Sequence, residues 1–129
     1  MIDKLFDKLI LTDTAALAHR DVVNYLTQRG FKCQCEYVLT NRGDGHRGRI
    51  DLIAIKNDIK LAIEIDCRTP RLNSIRKLKQ MPKEYIKCII CRVVAPFRKI
   101  NEFNIIYPIA VNARPEKLIP TKKEILMRL

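Results

Sequence analysis

The chain is 129 residues long, 47% hydrophobic and 30% charged, a composition that fits one folding domain and excludes a disordered or fibrous chain. No run nears the ~18 apolar residues of a membrane span, and the charged start Met1-Ile2-Asp3-Lys4 does not read as a secretory leader. The 25 lysines and arginines exceed the 14 acids by 11, and residues 68–99 alone hold ten bases and one acid, Glu84. A polyanionic partner, nucleic acid before membrane, is therefore expected.

Amphipathic spacing predicts a short helix over residues 4–11. A second helix, capped by Thr12 or Asp13, runs to about Gln28, with Ala18, Val22, Tyr25 and Leu26 on one stripe. Gly30 stops it. Residues 31–39 read as a strand, and 40–48, with three glycines, as a flexible loop. Two β-rich runs, 49–55 and 60–66, flank a tight turn at Asn57-Asp58. Leu72, Ile75 and Leu78 mark a helix over about 71–80, ended by Pro82. Residues 87–94, apolar on both faces, predict an interior strand. Residues 103–111 predict an edge strand because of Pro108, and 121–129 a terminal helix. The whole, 1–129, is read as one domain with a core over about 14–94 and an extension over 95–129.

The five cysteines, Cys33, Cys35, Cys67, Cys88 and Cys91, are an odd number. With no leader expected, they read as reduced thiols of a cytoplasmic protein. Cys88 and Cys91, three apart on a strand, point to opposite faces and cannot share one zinc ion.

The hairpin carries the chemistry. A two-residue loop at Asn57-Asp58 pairs Lys56 with Ile59 and places Asp51 opposite Glu64, with Asp66 on the same face. The other face, Ile50, Leu52 and Ala54 against Ile65, Ile63 and Leu61, is wholly apolar and is expected to be the buried one. Three carboxylates on one surface repel each other and call for a counter-charge. A divalent cation with a preference for oxygen supplies it. Plain ion pairs, Arg49 with Asp66 or Asp51 with Arg47 or Arg49, are the alternative. Glu36 on the first strand is a further candidate ligand or a solvated charge.

The run Gly48-Arg-Ile-Asp51-Leu-Ile-Ala-Ile, a short turn, then Leu61-Ala-Ile-Glu64-Ile-Asp66 resembles the PD-(D/E)xK nuclease superfamily. The resemblance spans residues 14–94. It implies an α/β fold of restriction-endonuclease-like α-β-β-β-α-β order, with a central mixed sheet flanked by helices. It also implies a magnesium- or manganese-dependent DNA endonuclease, with Asp51 and Glu64 as metal ligands and the helix after the third strand lining DNA. Asp66 and Glu36 are the further metal candidates. Where the family usually has lysine, two after the glutamate, this chain has Asp66, so the lysine's role passes to Lys77 or Lys79. Arg68, Arg71, Arg76, Arg47 and Arg49 are the expected DNA contacts, with His46 a weaker phosphate candidate. With 6% aromatic residues, phosphate contact outweighs base stacking. A homodimer that cuts both strands is compatible with this reading. A DNA-binding protein that kept the fold and lost catalysis is the second reading, and a basic protein-interaction module is the third.

Overall fold

The computed structural model describes residues 1–113. They form an α/β fold around a mixed six-stranded sheet, with helices α1 (Ile2–Leu5), α2 (Ala15–Gln28) and α3 (Leu72–Lys79). The strands are β1 (Ile10–Thr12), β2 (Lys32–Leu39), β3 (Gly48–Lys56), β4 (Ile59–Asp66), β5 (Tyr85–Cys91), β6 (Arg98–Ile100), β7 (Phe103–Ile106) and β8 (Ala110–Asn112). The large sheet runs β2-β3-β4-β5-β7-β6, and β1 and β8 make a separate parallel pair. The β2-β3-β4 part is antiparallel, β4-β5-β7 is parallel, and β6 returns antiparallel to β7. The expected terminal helix over 121–129 lies outside the described residues.

Thr14 caps α2, its hydroxyl accepting from the Leu17 N–H at 3.1 Å, and Gly30 (φ +90°) turns the chain out of the helix. The expected cap at Thr12 or Asp13 is displaced because Thr12 belongs to β1. Its N–H donates to Asp21 Oδ2 at 2.7 Å, and that of Asp13 to the Asn112 carbonyl at 2.9 Å. The same pairing corrects the helix expected over 4–11. Helix α1 ends at Leu5, and Leu9 and Leu11, both fully buried, follow strand alternation around exposed Ile10. A long-range ladder to β8 thus overrides a weak local helical pattern.

The β3–β4 register is the one the two-residue turn demands. Lys56 faces Ile59, Ala54 faces Leu61 and Leu52 faces Ile63, with Asn57 in the left-handed region at φ +53°. The sheet is covered on both faces, not one. Leu52, Ala54, Leu61, Ile63, Cys88 and Ile90 pack with Ala18, Val22 and Leu26 of α2. Ile53, Ala62, Ile89, Cys91 and Ile105 pack with Ile75 and Leu78 of α3. Cys88 and Cys91 therefore lie on opposite faces.

Strand β5 is interior, between β4 and β7. The single edge strand expected over 103–111 is instead two strands. Buried β7 sits inside the sheet, and after Pro108 the chain leaves to form β8 beside β1. Exposed β6 forms the edge.

Candidate functional site

The β3–β4 ladder ends at Leu52–Ile63, and the next level is closed by side chains. The Asp51 N–H donates to Glu64 Oε2 at 2.8 Å, and the Ile65 N–H donates to Asp51 Oδ2 at 2.8 Å. Each carboxylate thus takes the place of a backbone carbonyl on the facing strand. Opposite Asp51 on β2, Glu36 adopts φ +53° between the Cys35–Leu52 and Tyr37–Ile50 pairs. The alternation of faces slips here. Ile50, expected with Leu52 and Ala54, packs instead with Ile53, Ala62 and Leu39 on the α3 side. An unbroken period of two places it wrongly; the partner strand β2 carries the left-handed Glu36 at this level.

Glu64 is fully buried. Burial, and then the Asp51 charge, push its carboxyl up to about 7, against the opposing pull of Lys77 and the Asp51 N–H. Lys77, in the second turn of α3, brings its ammonium to Glu64 Oε1 and donates to the Arg49 carbonyl at 2.9 Å. Its side chain is only 17% exposed. Lys79, two residues on and so about 200° around the helix, is exposed. Of the two lysines named from the sequence, Lys77 is the one brought to the acidic pair.

Asp66 shares the buried surface but has other partners. Its Oδ2 accepts the Arg71 N–H at 2.8 Å, and its Oδ1 accepts Arg71 Nε at 3.0 Å and the Ser74 hydroxyl at 2.8 Å. Both oxygens are committed to the start of α3. Glu36 pairs with Arg49 at 2.9 Å on the surface, in place of the Arg49–Asp66 pair considered above. Ser74 was not expected at the site. Its signal was a lone hydroxyl on the inward stripe of α3, one turn before Leu78.

Among the described residues no group of three or more His, Cys, Asp and Glu side chains converges to hold a metal. Asp51 and Glu64 present two carboxylates, each with one oxygen on a backbone N–H; the second oxygen of Glu64, the buried Oε1, faces the Lys77 ammonium, which a metal there would have to displace. Two hard oxygen donors fit magnesium, which binds through one or two carboxylates and keeps waters.

The glycine-containing loop is internally bonded rather than loose. Asn41 Oδ1 accepts from the N–H groups of Gly43 (2.7 Å) and Gly45 (3.0 Å), and Arg42 forks onto Asp44. This loop reaches α3: a β-carbon at Gly43 would lie 3.6 Å from Arg76 Cβ. Arg47, Arg49, Arg71 and Arg76 are exposed, on the loop, on β3 and at α3. Arg68, also exposed, lines a shallow cleft with Asp13 and Arg92. His46 is exposed in the loop, whereas His19 lies elsewhere, 3.4 Å from Cys35 Sγ.

No family model and no curated protein matches the chain. A solved structure, the protein of unknown function AF1548, is similar over 58% of this chain with 15% identity and a TM-score of 0.41. The chain spans 45% of that protein's length. No helix among the described residues is long and apolar enough to cross a membrane.

Proposed function

We propose that this protein is a metal-dependent DNA endonuclease of restriction-endonuclease-like topology that hydrolyses phosphodiester bonds. The observation that carries the reading is the meeting of Asp51, Glu64 and Lys77 beside exposed arginines. The order helix–strand–strand–strand–helix–strand from α2 to β5 supports the topology. Asp51 and Glu64 would hold magnesium, or manganese in its place. Bound there, the ion supplies Lewis-acid stabilisation of the leaving oxygen and a water of lowered pKa.

The chain's own residues do the rest. Burial, with the Asp51 charge adding to it and Lys77 opposing it, raises the Glu64 carboxyl to about 7. Lys77, which pairs with Glu64, would hold a water or a phosphate oxygen next to the acids, the role expected of the missing lysine at position 66. Arg71 and Arg76 on α3, Arg47 and Arg49 near β3, and Arg68 bind the backbone phosphates.

Incubation with plasmid and Mg²⁺ or Mn²⁺ tests this, with EDTA and the variants Asp51→Ala and Glu64→Ala as controls. Nicking by wild type that disappears in all three controls is expected. DNA binding without metal-dependent nicking overturns the enzyme and favours a DNA-binding protein that lost catalysis. No retention of DNA at all favours an interaction module.

A further inference from the structure

Asp66 stands at the end of β4, two residues beyond Glu64, and is buried to 2% exposure. A buried carboxylate is costly unless its oxygens are bonded. Here three donors satisfy it, and all three belong to one element, the first turn of α3. Two of the donors, the Arg71 N–H and the Ser74 hydroxyl, tie the helix backbone to the strand. The third, Arg71 Nε, fixes the direction of the guanidinium, while 64% of that side chain stays exposed. Ser74 and Lys77 are three apart, hence on one face of α3. The same seating that brings Ser74 to Asp66 brings Lys77 to Glu64. Arg71 also feels the charges of Glu64 and Asp51, though less than that of Asp66.

We infer that Asp66 is a positioning residue. Its carboxylate locks the start of α3 and the Arg71 fork together, so that Lys77 reaches Glu64 and the free edge of Arg71 is presented to a DNA phosphate at the Asp51–Glu64 pair. This rests on the nuclease reading above. Arginine suits the task because its planar fork can give one edge to a carboxylate and the other to a phosphate, which a lysine cannot do.

The test compares wild type with Asp66→Asn and Ser74→Ala in three measurements. These are hydrogen exchange at the Arg71 Nε–H by nitrogen-15 NMR, DNA affinity in EDTA, and turnover in Mg²⁺. Wild type should show a slowly exchanging, displaced Nε–H signal that in Asp66→Asn returns to the position of solvated arginines. Turnover should fall at least about tenfold in Asp66→Asn while DNA affinity weakens less than about threefold. Ser74→Ala, which removes one bond of three, should shift turnover in the same direction by less. A folded Asp66→Asn protein that cleaves at the wild-type rate overturns the inference, as does a wild-type Nε–H that exchanges freely. Should Asp66→Asn fail to fold, Ser74→Ala decides, and an unchanged turnover there refutes the proposal. A wild type that binds DNA and never cuts refutes the nuclease reading instead. The Nε–H signal of Asp66→Asn then still reads the clamp, so the two ideas fail separately.

Discussion

The Lys77 ammonium meets the Glu64 carboxylate across the gap between α3 and β4, and the two side chains are 17% and 0% exposed. A cation from one element and an acid from another are thus buried together, with the Arg49 carbonyl and the Asp51 N–H as further partners. A buried pair of this kind adds little net stability, yet leaving the buried anion without its cation is costly.

Glu64 makes stability fall as pH rises. Its carboxyl ordinarily titrates at 4.5 and in the folded chain at about 7. Below 4.5 both states hold the proton, and between the two values only the folded state does. This contribution is therefore complete in acid and is lost as pH passes through about 7. Thermal melts without metal should show a decline over that window. In Glu64→Gln the decline should flatten, with the variant more stable than wild type at pH about 8. A wild-type curve that rises through the window contradicts this.

Lys77→Met should cost about 3 kcal/mol at alkaline pH, where Glu64 is left as an unpaired buried anion. The cost should shrink in acid, where Glu64 is neutral. The double variant Glu64→Gln/Lys77→Met should recover most of it. Urea denaturation at two pH values measures all three. Metal-dependent nicking should be lost in Lys77→Met and kept in Lys79→Met.

Gly48→Ala tests the junction of the loop with β3. The new β-carbon would lie 2.7 Å from Arg42 Cβ, close to the backbone and unable to swing away, and 3.4 Å from Lys77 Cδ. A loss of about 1–3 kcal/mol is expected from such overpacking, read as a lowered melting temperature, together with displacement of the 41–47 loop. An unchanged melting temperature would mean the loop can shift freely.

Phosphate contact sets the salt dependence of DNA binding. The logarithm of affinity should fall linearly with the logarithm of salt concentration, and Arg76→Ala or Arg47→Ala should each reduce that slope by about one contact. Fluorescence anisotropy over a salt series measures it. An affinity indifferent to salt would remove DNA phosphate as the partner of these arginines.

The hairpin was legible because two local signals agree there. A tight turn at Asn57-Asp58 and six apolar residues in alternation admit one register, and that register holds from Lys56–Ile59 to Leu52–Ile63. The helix over 15–28 was legible for a similar reason, a continuous stripe with stops at both ends. Alternation failed at Ile50, which packs with the α3-side cluster rather than with Leu52 and Ala54. The helix expected over 4–11 and the edge strand over 103–111 failed together, since Ile10–Thr12 and Ala110–Asn112 find each other only once the intervening hundred or so residues have folded.

From residue order alone came the basic surplus, the helix–strand order from α2 to β5 and the proximity of Asp51 to Glu64, because each rests on neighbours or on one short turn. The packing of α3 on the sheet settled which lysine meets Glu64, that Asp66 serves the start of that helix, and that the second face is covered as well. Periodicity says which side of an element is apolar; only the docked chain says what that side touches.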